Sequence, residues 1–213
     1  MKCAKEWLPL YAVTDRSWLA GRTLYEVAEA ALKGGVTCLQ LREKELNHES
    51  FLREAGSLKE LCDRYQVPLI INDEVEIAIE SQSAGVHIGQ HDEPAAEVRR
   101  RLGPDMLLGV SAQTVEQAVK AERDGADYLG VGAVFPTGTK LDAEDVSYDT
   151  LKEICAAVSI PVVAIGGIKR ENLGKLSGSG IHGAAVVSAI FAAPEAEVAA
   201  RALRAAVRTE LGV

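Results

Sequence analysis

Apolar positions along the chain fall into eight short runs rich in β-branched residues, at 10–13, 38–41, 69–71, 86–88, 107–110, 128–131, 162–165 and 184–187. Each is strand-length, which reads as buried β-structure. Helical periodicity occupies stretches between them. It is clearest over 23–33, closed by Gly34-Gly35, over 49–65, over 115–124, closed by Gly125, and over the alanine-rich 194–210. From Thr14 after the first run to Ser188 after the eighth is 174 residues over seven intervals, about 25 per unit. That period predicts a (β/α)₈ barrel, a TIM barrel, with a doubly wound open sheet as the competing arrangement.

In such barrels the chemistry sits where strands end. Here those positions are strongly polar: Thr14-Asp15, Gln40 with Arg42 and Lys44, Asn72-Asp73, Gly89-Gln90-His91-Asp92, Ser111, the segment 132–140, Gly166-Gly167 and Ser188. Alternation through Gln40-Leu41-Arg42-Glu43-Lys44 predicts Gln40, Arg42 and Lys44 on one side and Leu41 and Glu43 on the other. Two cations at a barrel mouth suit a phosphate or diphosphate. Asp73 and Asp92 follow neighbouring strands, so their carboxylates can converge, a pairing that suits Mg²⁺ held together with phosphate oxygens; a helix start at Asp92 and a turn at Asp73 are the plainer alternatives. Gly166-Gly167 and Ser188 follow the two strands that supply the phosphate site of many barrels. The run ending Thr137-Gly138-Thr139-Lys140 offers hydroxyls and a further cation.

Composition narrows the reading. The 213 residues are 47% apolar and 25% charged, with no linker or low-complexity tract, so one barrel domain over 1–213 is expected. A net charge of −8 argues against nucleic-acid or anionic-membrane partners. Any anionic small-molecule substrate must then be met by locally placed cations. No signal-peptide-like N-terminus or membrane-length apolar run is present, which makes the cytoplasm the expected location. Cys3, Cys38, Cys62 and Cys155 are dispersed and read as reduced packing thiols. His48 and His182 read as surface residues, His87 as packed within its strand, and His91 as a mouth residue lacking an acid–base partner. Trp7 and Trp18 read as packing. Neither a Walker A pattern nor a Ser-His-Asp order occurs.

Seven ordered motifs, Tyr11-Ala12-Val13-Thr14-Asp15, Gln40-Leu41-Arg42-Glu43-Lys44, Asn72-Asp73, His87-Ile88-Gly89-Gln90-x-Asp92, Gly109-Val110-Ser111, Pro136-Thr137-x-Thr139-Lys140 and Ile165-Gly166-Gly167-Ile168, resemble the thiamine-phosphate synthase family across almost the whole chain. The resemblance implies a Mg²⁺-dependent transferase on a TIM barrel. It implies that a hydroxymethylpyrimidine diphosphate is held by Gln40, Leu41, Arg42, Glu43, Lys44, Asn72, Ser111 and Lys140. Arg42, Lys44, Ser111 and Lys140 would carry the catalysis, and Asp73 and Asp92 would hold the metal. Thiazole phosphate would lie against Thr137, Gly138, Thr139, Gly167, Val187 and Ser188. Two departures stand out. Gln113 occupies a position where the family commonly has histidine, and Gly180-Ile181-His182 replaces a common Gly-Ala-Asp before the eighth strand. The first counts against the related thiazole tautomerases, since glutamine cannot transfer the proton; a non-catalytic phosphate-binding barrel is the remaining alternative. A homo-oligomer is compatible with the sequence, which does not locate its interface.

Overall fold

A computed structural model describes residues 3–137 and 145–213. Eight parallel strands, β1 (Leu10–Val13), β2 (Cys38–Leu41), β3 (Leu69–Asn72), β4 (Gly85–Ile88), β5 (Leu107–Ala112), β6 (Tyr128–Val131), β7 (Val162–Ile165) and β8 (Gly183–Val186), close in sequence order, β8 pairing with β1. The open-sheet alternative is thereby overturned: every strand has a neighbour on both sides, and no edge remains.

Around the barrel lie α1 (Leu24–Lys33), α2 (His48–Tyr65), α3 (Val75–Glu80), α4 (Ala95–Leu102), α5 (Val115–Arg123), α6 (Tyr148–Ala157), α7 (Ser188–Phe191) and α8 (Ala196–Ala206), the last continuing into a π-helical turn at Val207–Leu211. The β7–β8 link departs from the pattern, carrying a 3₁₀ turn at Leu173–Leu176 in place of an α-helix. Gly174, Gly178 and Gly180 crowd that link, and glycine is a poor helix interior residue.

Several helices start on side-chain caps that the sequence supplies. Thr23 accepts from Glu26 N in a reciprocal capping box, and Asn47, Thr114 and Ser147 accept from the backbone N–H three residues on. These caps all lie in loops that leave strand C-termini, so they stiffen the rim where the polar clusters gather.

Two apolar layers divide the core. An outer layer joins strand residues such as Leu39, Ile71, Val86, Leu108 and Val131 to the helices. An inner one, with Tyr11, Val13, Cys38, Ile70, Leu107, Tyr128, Val163 and Ala185, fills the barrel. Trp7 packs against this plug, whereas Trp18, expected to pack, is 43% exposed. Gly180-Ile181-His182 immediately precedes β8, at the opposite end from the polar rim. His182 is half-buried there, accepting from Val162 N, and burial lowers its pKa; its expected surface position is corrected accordingly.

Candidate active site

Strand ends bring the polar clusters to one rim. On the β2–β4 side, Lys44 Nζ stands 2.5 Å from Asp73 Oδ2, Asn72 Nδ2 donates to Asp73 Oδ1 at 2.6 Å, and Gly89 N donates to Asp92 Oδ2 at 2.6 Å. Glu43, Lys44, Asn72, Asp73 and Asp92 line one cleft of about 370 Å³. Burial holds the Asp73 carboxyl above its ordinary range, opposed by Lys44 and reinforced by the Asp92 carboxylate beside it. Asp92 does not cap α4, whose N-cap is Pro94, and Asp73 takes a left-handed φ of +65°.

Two carboxylates meeting beside a substrate-sized cleft fit a hard divalent cation. Among the described residues no cluster of three or more His, Cys, Asp or Glu side chains forms, so an ion there would complete its shell with water or substrate oxygens, as Mg²⁺ commonly does in phosphate sites.

The alternation expected through Gln40–Lys44 holds only to Leu41, where β2 ends. Leu41 packs in the outer core, and Gln40 turns into the barrel. Arg42 is half-buried at the rim; its N–H donates to Thr14 Oγ1 at 2.9 Å, and its C=O accepts from the same hydroxyl. Glu43 is buried against Arg16, 2.7 Å from Nε, and Arg16 also pairs with Glu54 of α2. Its carboxyl, raised by burial despite Arg16, therefore braces the loop after β1 against the loop after β2.

On the opposite side, Gly166 and Gly167 follow β7 with φ of +101° and +62°, and Val187 leads into α7, accepting at its C=O from Ile190 N and Phe191 N. A Cβ on Gly167 would lie 2.5 Å from Pro136 O and 2.7 Å from Phe135 O. The loops after β6 and β7 thus touch backbone to backbone, which only glycine permits at this position. Thr137 follows directly. Gly138, Thr139 and Lys140 lie outside the described residues.

The interior of the barrel holds what residue-by-residue reading left scattered. Gln40 Nε2 donates to Tyr11 Oη at 2.8 Å, Tyr11 Oη lies 2.8 Å from Tyr128 Oη, His87 Nδ1 lies 3.1 Å from Tyr128 Oη, and His87 Nε2 lies 3.0 Å from Ser111 Oγ. His87 is packed, as its alternation suggested, yet it bridges β6 to β5 through both ring nitrogens. Room for it comes from Gly109 and Gly130, whose added Cβ atoms would fall 2.4 Å from His87 Nδ1 and 2.9 Å from its Cε1. Burial pushes both phenols well above their ordinary pKa, so they stay protonated. Gln90 Nε2 also reaches Ser111 O at 2.6 Å. The sequence clue was available: bulky Tyr128 lies opposite Gly109 in the β5–β6 register, a large–small pairing across inward positions.

Exposed His48 lines the same cleft as Asp73 and pairs with Glu80, and His91, beside Asp92 in the loop after β4, is exposed. All four thiols are free and are raised by burial, Cys3 and Cys62 to about 12 and Cys155 to about 11. None is a thiolate nucleophile at neutral pH. Gln113 follows β5, its N–H donating to Gln117 Oε1 at 2.7 Å.

Comparison with known proteins decides the family. The family model described as thiamine monophosphate synthase matches residues 10–190. The chain belongs to the thiamine monophosphate synthase family. A thiamine-phosphate synthase of Clostridium tetani is 55% identical over 182 residues, spanning 85% of this chain and 87% of that protein. One of Ruminiclostridium cellulolyticum is 50% identical over 194 residues, 91% and 92% of the two chains. The solved thiamine phosphate pyrophosphorylase from Pyrococcus furiosus superposes with a TM-score of 0.90 at 35% identity, covering 98% of this chain and 99% of that one. As a member of the thiamine monophosphate synthase family the chain is an enzyme, a transferase of thiamine biosynthesis acting on small molecules. No helix among the described residues is long and apolar enough to cross a membrane.

Proposed function

We propose that the chain transfers a hydroxymethylpyrimidine group from its diphosphate to thiazole phosphate, releasing pyrophosphate, with the diphosphate on the β2–β4 side of the rim and the thiazole phosphate on the β6–β8 side. The observation that carries this division is the cleft in which Lys44, Asn72, Asp73 and Asp92 meet, set across the barrel from the glycine-lined turn at Gly166–Gly167 and the Val187–Ser188 entry to α7.

The chemistry asks for charge stabilisation rather than a nucleophile. The C–O bond to the diphosphate breaks with its electron pair on the leaving oxygen, and the ring amino group stabilises the methylene cation left behind. The thiazole nitrogen then donates its lone pair to that carbon, forming the new C–N bond. Arg42 and Lys44 would stabilise the departing charge, where preorganised cations act most strongly, and Lys140 is assigned the same role on sequence grounds. Asp73 and Asp92 would hold Mg²⁺, which supplies Lewis-acid neutralisation of the diphosphate. Gln40, Asn72 and Ser111 orient the pyrimidine, while Thr137, Gly138, Thr139, Gly167, Val187 and Ser188 hold the second phosphate so that the nitrogen faces the cation as it forms.

Incubating the purified chain with both substrates and Mg²⁺ should yield thiamine phosphate and pyrophosphate in equal amounts. Thiazole turnover in the absence of the pyrimidine would favour an isomerase. Saturable binding without product, alongside an active control enzyme, would reduce the chain to a ligand-binding barrel.

A further inference from the structure

A buried hydroxyl stands where β1 and β2 end. Thr14 is 0% exposed, so it does not itself face a ligand in the cleft. Its N–H extends the β1–β2 ladder by one bond, to Gln40 O at 2.9 Å. Arg42, two residues beyond Gln40, turns the same backbone edge toward β1, as alternation along a parallel ladder requires. The chain of β1 has by then turned away at Asp15, which caps a 3₁₀ turn at Arg16–Trp18. The Thr14 hydroxyl takes the place of the missing backbone: it accepts from Arg42 N at 2.9 Å and donates to Arg42 O at 3.3 Å. A hydroxyl has one proton and two lone pairs, so it makes both bonds at once. One side chain thus holds the peptide groups on both sides of Arg42.

The consequence falls on the Arg42 side chain. Its two neighbours are anchored through their charged ends, Glu43 to Arg16 and Lys44 to Asp73. Among the described residues the Arg42 guanidinium donates to no carbonyl or side chain, so its approach to the rim is set from its own backbone. A guanidinium engages a phosphate with two N–H groups only when its plane meets the oxygens squarely, and a shifted peptide would turn that fork away. We propose that Thr14 is a positioning residue for the transfer, its buried hydroxyl setting the Arg42 backbone and through it the angle at which the guanidinium meets the diphosphate. The inference rests on the functional reading above for the identity of the ligand, and on the Thr14–Arg42 contacts alone for the clamp.

Two measurements on three variants test it. Thr14→Val keeps the branched shape and leaves the Arg42 N–H without its acceptor, whereas Thr14→Ser keeps the hydroxyl and gives up only a methyl group. Amide hydrogen exchange reads the clamp with no ligand present: the Arg42 N–H should exchange about tenfold faster in Thr14→Val than in the native chain, and near the native rate in Thr14→Ser. Equal protection in Thr14→Val would overturn the clamp. Calorimetry with Mg²⁺ and inorganic pyrophosphate reads the consequence. Thr14→Val should bind pyrophosphate about tenfold more weakly, the weight of one charge-assisted hydrogen bond, with Thr14→Ser and the affinity for thiazole phosphate held within about twofold of native. In an Arg42→Met background the Thr14→Val step should change pyrophosphate affinity by less than about twofold, because the group it positions is gone. Equal losses for pyrophosphate and thiazole phosphate, or the full loss repeated in the Arg42→Met background, would reduce Thr14 to a structural residue and overturn the positioning role. A native chain that bound no pyrophosphate would instead defeat the functional reading and the positioning role with it, the exchange rates still recording whether the clamp exists. Should Thr14→Val fail to fold, Thr14→Ala removes the same hydroxyl with less crowding, and the same pattern is expected.

Discussion

Lys44 Nζ and Asp73 Oδ2 stand 2.5 Å apart, tying the loop after β2 to the end of β3 across the rim. Asp73 thus serves two partners, a lysine and, on the reading above, Mg²⁺. Replacing it should lower kcat/KM by about 10²–10³, or about 3–4 kcal/mol of transition-state stabilisation, with the loss largest at limiting Mg²⁺. Asp73→Asn is the sharper variant, because asparagine tolerates the φ of +65°, whereas Asp73→Ala adds a backbone cost of about 1 kcal/mol. Magnesium titrations of activity on both variants check this; a native response in Asp73→Asn would remove the carboxylate from the metal site.

The two phosphate sides should separate kinetically. Ser188→Ala is expected to raise KM for thiazole phosphate about tenfold, the loss of one hydrogen bond to a charged group, with little change for the pyrimidine diphosphate. Lys44→Ala should act on pyrimidine diphosphate KM and on kcat together, since charge grows on that side as the bond breaks. Gly167→Val is a poor probe of either side. Its Cβ would lie within 2.7 Å of the Pro136 and Phe135 carbonyls, so it should lower Tm and impair Thr137's loop along with its own. Steady-state kinetics with each substrate varied in turn would test the division.

Arg22 holds α7 from outside the site. Its guanidinium donates to the carbonyls of Trp18, Leu19, Phe191, Ala193 and Pro194, fastening the loop after β1 to the C-terminal end of the helix that Ser188 begins. Arg22→Met should cost about 2–3 kcal/mol of stability and should raise KM for thiazole phosphate while leaving that for the pyrimidine diphosphate near native. Denaturant melts and the same two-substrate kinetics would show whether stability and anion binding fall together.

Arg16 and Glu43 carry a pH signature. Burial raises the Glu43 pKa even with Arg16 beside it, so the folded state binds this proton more tightly than the unfolded state does. The resulting penalty is complete above the folded pKa and is relieved as pH falls through it. Arg16→Met deepens the penalty by stranding the carboxylate. The variant should be less stable than the native chain by about 1–3 kcal/mol at pH 7, moderated by the exposure of Arg16. The gap should narrow as pH approaches the ordinary glutamate value of 4.5. Melts from pH 4 to 8 would show it, and a gap independent of pH would assign the loss to packing.

Much of this protein could be read from the order of its residues. Strand runs, caps such as Thr23 and Asn47, and the roughly 25-residue period are local, governed by side-chain alternation and backbone capping, and they predicted the barrel and placed Lys44, Asp73 and Asp92 at one rim. What stayed hidden depends on partners distant in sequence. Glu43 looked like one more charge at the mouth until Arg16 and Glu54 enclosed it. Tyr11 and Tyr128, 117 positions apart, meet only because barrel closure turns both into the same layer. His87 fits between Tyr128 and Ser111 because Gly109 and Gly130 leave space there. The sequence by itself determined which segments pair and where the chemistry gathers; closure of the sheet decided which polar groups share protons, because hydrogen bonding across the interior depends on ångström-scale distances between strands that carry no mark of one another in the linear order.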